Sequence, residues 1–392
     1  MEVVRLSPRI FSHHRHQHSP FFLHLFTRRA LLANWLCFLS LGLTIPVLPR
    51  VISTIVNPDG SDAVSPRSSV ISGDVEALDK LLTFLFCGAL GALSDVVGRK
   101  PLMAYSAFGF ALTCFLQASA KKSLSLLYIA DLVDGASSCM NNICQAYVTD
   151  ASLPGRTAVN LGIFQGLSVA GAFILGFPLS AVLAAQYGRQ APMYVAAALG
   201  VVNGLIILGL APESLPPSQR KAAINWREAN PLGALKLLFG RTPLMAWSSA
   251  AFFLIWFGNA CINSIFGNYV NHLFGWGEQE SAPLLVLVGL MIAIAPATLV
   301  PRLGLKKSIE YGSLTYAIGL IGTALSTKVP KHLVISVLVA SLGCIAVPAL
   351  IAFIANQAAS DERGAVLGGI ETLNELCLAL AHSTYGRTLA LF

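Results

Sequence analysis

Residues 91–101 read Gly91-Ala92-Leu93-Ser94-Asp95-Val96-Val97-Gly98-Arg99-Lys100-Pro101. They form a short polar turn between two apolar runs, at 81–90 and 102–116. A tight polar turn between two apolar helices has to lie at a membrane surface, and the cations Arg99 and Lys100 mark the cytoplasmic side. The stretch therefore predicts a hairpin of two membrane helices.

Three residues of this turn have predictable roles. Asp95 is expected to accept hydrogen bonds from the N–H groups that open the next helix. Gly91 is expected to let two helices approach closely, and Gly98 to adopt a positive φ in the turn. Each of these roles is local, so the structure tests them one by one.

The spacing G-x-L-x-D-x-x-G-R-K-P resembles the loop between helices 2 and 3 of the major facilitator superfamily of secondary transporters. Val96 departs from the pattern, because the family usually has a basic residue at this point. An ordinary membrane hairpin with an Asp-x-x-Gly-Arg-Lys turn is the alternative interpretation of the stretch.

The composition independently indicates a membrane protein. The 392 residues are 55% hydrophobic and only 11% charged, whereas a soluble protein carries about a quarter charged residues. The net charge of +7 fits basic cytoplasmic loops and requires no nucleic acid as a partner. The eight cysteines lie in apolar stretches and form no Cys-x-x-Cys pair, so we expect no disulfide framework, metal site or cofactor.

Eleven stretches are apolar over about the 20 residues that a membrane-spanning helix needs. They lie at 30–49, 79–96, 101–120, 124–148, 158–185, 190–211, 243–270, 282–300, 309–327, 331–355 and 365–389. The sequence therefore predicts an all-α fold, a multi-pass helical bundle in the lipid bilayer. Residues 50–78 carry four acids and are expected to form an outside loop.

A long basic connection divides the spans into six before it and five after it. The expected regions are a disordered basic cytoplasmic tail (1–29), a six-helix bundle (30–211), a central cytoplasmic linker (212–242) and a five-helix bundle (243–392). The two halves also resemble each other, since Gly304-Leu305-Lys306-Lys307 stands in the second half where Gly98-Arg99-Lys100 stands in the first.

The distribution of basic residues predicts the orientation. A cytoplasmic N terminus puts 17 of the 26 lysines and arginines on the inside, and the opposite orientation inverts this ratio. The tail contains a histidine-rich run at 13–18, for which weak metal binding and an organelle transit peptide are alternatives to simple disorder. The sequence does not say which membrane holds the protein.

Further stretches resemble one branch of the superfamily, the tetracycline-efflux-like and hippocampus-abundant-transcript-like transporters. They are the Gly-Leu-Thr-Ile-Pro-Val-Leu-Pro run at 42–49, Ala-Tyr-Val-Thr-Asp at 146–150, Ala-Pro-Glu-Ser-Leu at 211–215, Gly-Ala-Val-Leu-Gly at 364–368 and the stretch from Leu376 to Gly386. The resemblance covers roughly residues 30–390 and implies two pseudo-symmetric halves that transport a small organic solute by alternating access.

The chain departs from this branch at several positions. Cys37 stands where bacterial efflux members have an Asp, Asp131 stands where many members have an Arg, and His382 replaces a Pro. Of the helix-5 antiporter motif, Gly176-Phe177-Pro178 keeps only the Pro in register. We therefore expect no tetracycline export by the bacterial mechanism. The family has twelve spans, so the eleven found here indicate either an incomplete product or a fold without the last peripheral helix.

Polar side chains in span 4 are candidates for the substrate or proton pathway. Asp131 and Asp134 lie at i and i+3 on one helix face, and Asn141 and Gln145 lie at i and i+4. The resemblance implies that helix 4 lines the central cavity, where paired carboxylates suit proton coupling. The alternative places both aspartates near the outer headgroups, where water solvates them.

Spans 7 and 11 carry the other candidates. Glu371 and Glu375 lie on one face of span 11, near its middle, and are either proton-pathway residues or remnants without a partner. Asn259 and Asn263 lie one turn apart in span 7 and either contact the solute or hold helices together. The resemblance implies a gating role for the inner turn and for Asp150, which is expected to hold it. The gating residues of this turn are Gly91, Asp95, Gly98, Arg99 and Lys100.

The leading hypothesis is a transporter of a small solute coupled to protons. The alternative is a transport-inactive membrane protein with a binding or regulatory role. A membrane enzyme is not expected, because the sequence lacks a His-Asp acyltransferase box, a His-Glu-x-x-His motif and a Walker loop. The substrate, the coupling ion and the direction of transport stay open.

Overall fold

The computed structural model describes residues 20–150, 152, 164, 166, 168, 171–224, 226–326, 329–358 and 363–391. The predicted tail up to residue 19, its histidine-rich run, Arg156 and most of the first part of span 5 lie outside the described residues. The part of the chain that is described folds into helices without a strand. This confirms the all-α fold class.

Eight α-helices lie in the described part of the first half. They are α1 (Pro20–Thr44), α2 (Leu48–Val56), α3 (Pro66–Val97), α4 (Arg99–Ser119), α5 (Leu124–Ser137), α6 (Met140–Asp150), α7 (Phe177–Tyr187) and α8 (Ala191–Leu210). A π-helical turn at Gly171–Gly176 precedes α7. Span 4 is interrupted between α5 and α6, so its polar residues lie on two short helices.

The linker and the second half contain the other helices. They are α9 (Trp226–Ala229) and α10 (Pro231–Gly240) in the linker, then α11 (Pro243–Phe274), α12 (Glu278–Leu303), α13 (Leu305–Leu325), α14 (Pro330–Gly343), α15 (Ala346–Ala355) and α16 (Arg363–Leu389). Span 10 is interrupted between α14 and α15, as span 4 is between α5 and α6. The two halves therefore share an interrupted helix at the same place.

Seven segments within the described ranges are long and apolar enough to cross a membrane. They are Arg29–Val56, Pro66–Val97, Arg99–Ser119, Ala191–Leu210, Pro243–Ile262, Glu278–Leu303 and Pro330–Ala355. Two further apolar helices, Ile174–Tyr187 and Pro231–Gly240, are shorter. The count of eleven spans stays a prediction.

Two seams join the halves. Along one seam α3 packs against α16, and along the other α7 packs against α12. In the repeat, α3 corresponds to α12 and α7 corresponds to α16. The pseudo-symmetry that relates the two halves therefore also relates one seam to the other. Each half also has its own apolar core, for example around Met103 and Tyr147 in the first and around Phe252 and Leu350 in the second.

The backbone at the inner turns confirms the repeat. Gly98 has a φ of 110° before α4, and Gly304 has a φ of 77° before α13. Both values lie in the region that favours glycine, so each glycine allows a sharp reversal between two helices. We call the end of the bundle that carries these turns the inner end, and the opposite end the outer end.

The beginning of α3 differs from the prediction. The stretch 50–78 was expected to be a loop, but α2 occupies 48–56 and α3 begins at Pro66. Ser65 caps α3: its hydroxyl accepts from the Ser68 N–H at 3.1 Å, and the Ser68 hydroxyl accepts from the Ser65 N–H at 2.9 Å. This capping box extends α3 by about four turns, so Asp74, Glu76 and their neighbours lie on a membrane helix.

Candidate functional site

The inner turn is capped by a residue from the linker. The Glu213 carboxylate accepts from the Arg99 N–H at 2.8 Å and from the Lys100 N–H at 3.2 Å, which are the first N–H groups of α4. Asp95 was expected to fill this role, and that prediction is wrong. Asp95 still belongs to the last turn of α3, and its carboxylate pairs with the side chains of Arg99 and Lys221 instead.

Asp95 and Arg99 instead form an ion-pair network at the inner end. Arg99 contacts Asp95 at 2.6 Å and Asp150 at 3.1 Å. Lys221 of the linker contacts the other Asp95 oxygen at 2.9 Å, and its N–H donates to the Asp95 carbonyl at 2.9 Å. The predicted gating residues Asp95, Arg99 and Asp150 are thus brought together, and the linker is attached to them.

The close helix approach predicted at Gly91 occurs one turn earlier. A Cβ placed on Gly91 would have no neighbour within 4 Å, whereas one on Gly88 would lie 2.6 Å from the Ala229 carbonyl oxygen of α9. Gly91 faces away from the neighbouring helices, so the Gly91 prediction is wrong. The sequence does not predict the contact of Gly88 with the linker helix, because the two are about 140 residues apart along the chain.

The middle of α3 carries a charged pair. Lys80 is the fifteenth of the 32 residues of α3, and its ammonium lies 2.7 Å from Asp79. Glu76 of α3 and Glu375 of α16 also lie within electrostatic range of Lys80. Sequence reasoning missed Asp79 and Lys80, because they were taken as the boundary of a span. The Ser-Pro-x-Ser capping signal at 65–68 is what marks the helix as longer.

The carboxylates of α5 face the same region. Asp131 is only 3% exposed and accepts from the Gln117 amide at 3.2 Å. Asp131 and Asp134 both lie within electrostatic range of Asp79. Gly135 makes this possible, since its Cβ position lies 2.9 Å from the Asp79 carbonyl oxygen, so α5 and α3 nearly touch. Asp131 is therefore buried between helices and is not solvated near the headgroups.

The glutamates of α16 approach from the second half. Glu375 is the thirteenth of the 27 residues of α16 and lies within electrostatic range of Lys80, Asp79 and Asp134. The Gln145 amide faces Glu371 across the halves but makes no hydrogen bond within 3.5 Å in the described chain. The predicted residues of spans 4 and 11 thus meet between the halves.

The asparagines have mostly structural contacts. Asn141 accepts from the Asn34 amide at 3.4 Å, which joins α6 to α1. Asn259 accepts from the Tyr316 hydroxyl at 3.0 Å, which joins α11 to α13. This is the helix-joining role considered from the sequence. The Asn263 side chain lies outside the described part of the structure.

Ion pairs close the outer end between the halves. Arg50, at the start of α2, contacts Glu278 of α12 at 3.3 Å and donates to the Trp276 carbonyl at 3.0 Å. Arg50 and Arg189 also contact Asp62 in the same group. On the other seam, Arg387 of α16 binds both carboxylate oxygens of Asp74 on α3, at 2.6 and 3.2 Å.

The described ion pairs that join the two halves all lie at this outer end. At the inner end the described pairs stay within the first half and the linker, or within α13. Lys80 keeps 25% of its side chain exposed although it lies at mid-helix between the halves. The described ion pairs between the halves therefore hold the two halves together at the outer end.

Residues 30–382 match the family described as the Major Facilitator Superfamily. The chain belongs to this superfamily. The match covers most of the chain, which confirms the resemblance noted at the inner turn and makes the protein a multi-pass integral membrane protein.

Curated superfamily members include relatives of both kinds named by the resemblance. The chain is 26% identical over 333 residues to human hippocampus abundant transcript-like protein 1, covering 83% of this chain and 65% of that protein. It is 28% identical over 345 residues to the class C tetracycline resistance protein of Escherichia coli, covering 86% and 83%. The chain spans less than two thirds of the length of the human relative.

Solved structures of superfamily members have the same fold. The human organic anion transporter MFSD10 (TETRAN) superposes with a TM-score of 0.71 at 21% identity, covering 95% of this chain and 96% of that one. A mutant form of the nucleoside transporter NupG gives 0.72 at 15% identity, covering 94% and 92%. At these identities the likeness concerns the fold alone.

Proposed function

We propose that the protein transports a small organic solute by alternating access of its two halves, coupled to protons. The observation that carries this proposal is the set of ionisable residues that lie between the halves, near the middle of α3 and of α16. An ionised side chain at the centre of a bilayer costs about 2.5–3.5 kcal/mol on insertion scales. Such residues persist where they serve a pathway for a solute or an ion.

The ion pairs suggest how access alternates. In this proposal, the state in which the outer pairs Arg50–Glu278 and Asp74–Arg387 are formed is the one that opens to the inner side. Opening to the outside requires these pairs to break while the inner end closes. The Asp95–Arg99–Asp150 network and Lys221 would then hold α3, α6 and the linker together as one body during the movement.

The test is solute flux in vesicles. Purified protein is reconstituted into liposomes that contain the pH dye pyranine, and a panel of cationic, anionic and neutral organic solutes is added outside. We expect at least one class of solute to change the internal pH and to accumulate inside, as measured by mass spectrometry. Asp95→Asn should lose this flux while inserting normally, and Glu310→Gln, at the exposed inner end of α13, should keep it.

Two outcomes would contradict parts of the proposal. Full flux in Asp95→Asn would refute the gating role of that residue. Absence of flux for every solute class, in protein that binds one of them in detergent, would favour the alternative of a transport-inactive binding or regulatory protein.

A further inference from the structure

The residues around Lys80 form one charged cluster between the halves. The Lys80 cluster consists of Glu76, Asp79, Lys80, Asp131, Asp134 and Glu375. Its five carboxyl groups belong to α3, α5 and α16, and its one ammonium is that of Lys80. The carboxyl groups outnumber the ammonium, and a carboxyl group can release its proton when it pairs with a cation, so the composition of the cluster favours a cation.

Several carboxylate oxygens of the cluster have no hydrogen-bond donor in the described part of the chain. They are one oxygen each of Asp79, Asp131 and Glu375. Asp79 and Asp131 are only 6% and 3% exposed, so bulk water does not compensate them. Buried carboxylate oxygens without donors are costly, and a ligand that carries N–H groups or a positive charge would satisfy them.

The Lys80 ammonium has no described ion pair outside its own helix. Its one described ion pair is with Asp79, its immediate neighbour on α3, and adjacent positions of a helix do not face each other. The ammonium reaches Asp79 on a flexible stem of four carbons, and 25% of the side chain is exposed. Lys80 is therefore able to turn aside when another cation enters.

A metal ion is a poor occupant of this site. Within the described residues, no three His, Cys, Asp or Glu side chains lie close enough together to hold a metal ion. A compact divalent cation needs several oxygens at about 2.0–2.6 Å. The carboxylates of the cluster are spread over three helices, which suits a larger organic cation whose charge interacts with several of them at a distance.

We propose that the Lys80 cluster is a binding site for an organic cation, and that the Lys80 ammonium is a tethered cation that occupies it when the solute is absent. The proposal deepens the proposed function by naming its substrate class, and its central position in a transport pathway rests on that function. The binding site itself can be tested without transport.

The test replaces the tethered cation with a free one. Lys80→Ala leaves a space and an uncompensated group of carboxylates, which should lower Tm in detergent by roughly 5 °C. Butylammonium chloride, which matches the lost side chain, should restore at least half of this loss in a saturable way. Butanol and sodium butyrate, of the same shape but neutral or anionic, should restore none of it.

The control is Lys306→Ala, which removes an ammonium from the first turn of α13, where the side chain is 87% exposed. Butylammonium should change the Tm of Lys306→Ala no more than it changes the Tm of the wild type. If Lys80→Ala does not fold, Lys80→Met keeps the stem, and methylammonium against methanol replaces the larger pair of probes.

Rescue by butyrate, or equal effects of butylammonium and butanol, would overturn the proposal. These results are separable from those of the vesicle assay, because thermal stability in detergent needs no movement of the halves. Rescue by butylammonium together with absent flux would leave the cation site in place and refute transport. If the wild-type protein transports anions and butylammonium does not restore the Tm of Lys80→Ala, transport would stand and the cation site would be refuted.

Discussion

Single residues decide the local chemistry of the inner end of the bundle. Glu213 caps α4 with two backbone hydrogen bonds, while Asp95 pairs with Arg99 and Lys221. Two acids that are adjacent in space thus have different tasks, one in stabilising a helix terminus and one in joining the linker to α3. Variants of the two should therefore affect different properties.

Glu213→Ala should lower the free energy of unfolding by about 1–2 kcal/mol, because two N–H groups at the start of α4 lose their acceptor. The measurement is denaturant unfolding in detergent micelles. Glu310→Ala, which removes an exposed pair with Lys306, should change the same quantity by less than about 0.5 kcal/mol. An unchanged free energy of unfolding in Glu213→Ala would contradict the capping role of Glu213.

The combined variant Glu371→Gln and Glu375→Gln should remove the pH dependence of flux. Glu375 lies among Lys80, Asp79, Glu371 and Asp134, and a neutral amide cannot exchange a proton with this cluster. Initial rates are compared at about pH 6 and 8 in vesicles, with Glu310→Gln as the control that keeps the pH dependence. An unchanged profile in the double variant would exclude both glutamates as the proton site.

At the scale of elements, the seam between α3 and α16 depends on small residues. A Cβ on Gly386 would lie 2.7 Å from the Ser69 carbonyl oxygen and 3.0 Å from the Gly73 Cα. The outer halves of the two helices therefore meet backbone to backbone, as membrane helices do where small residues face each other. Contact at this point is a condition for outer closure.

Gly386→Val should hold the outer end apart. The added side chain cannot fit against Ser69, so the two helices have to separate. Spin labels at Arg67→Cys and Thr388→Cys should show a longer distance by a few ångströms, and flux should fall at least tenfold. Gly368→Val, on the same helix, is the matched control, because a Cβ at that position has no neighbour within 4 Å. An unchanged distance in Gly386→Val would contradict the role of the contact.

At the scale of the whole molecule, the two halves are joined by ion pairs at the outer end. The bidentate pair of Arg387 with Asp74 connects helices that are 313 residues apart in sequence. Because it crosses the seam, it stabilises one arrangement of the halves and not the other.

Reversal of this pair should shift the balance between the arrangements. Arg387→Asp places two carboxylates together and should lower the ratio of protein closed at the outer end to protein open there about fivefold, equivalent to about 1 kcal/mol. The combined variant Asp74→Arg and Arg387→Asp should restore it. The spin-label distance between positions 67 and 388 reports the populations. Failure of the exchanged pair to restore closure would mean that the two residues do not act as a pair.

The predictions from sequence succeeded where the governing forces are local. The positive φ at Gly98 and its counterpart at Gly304 follow from the chemistry of a tight turn. The carboxylates of spans 4 and 11 were identified because charge is rare in apolar segments. Asp79 and Lys80 were missed because hydropathy placed the span boundary at them, whereas the Ser65 cap begins the helix about four turns earlier.

The sequence by itself determined the all-α class, the repeated halves, the inner turn and the superfamily, because hydropathy, glycine conformation and motif spacing are properties of neighbouring residues. Only the tertiary structure decided which ionisable groups meet. Glu213 reaches α4 across 114 positions and Asp74 reaches Arg387 across 313. Such contacts depend on how each helix is rotated about its axis and which seam it joins, and both depend on the packing of all the helices together.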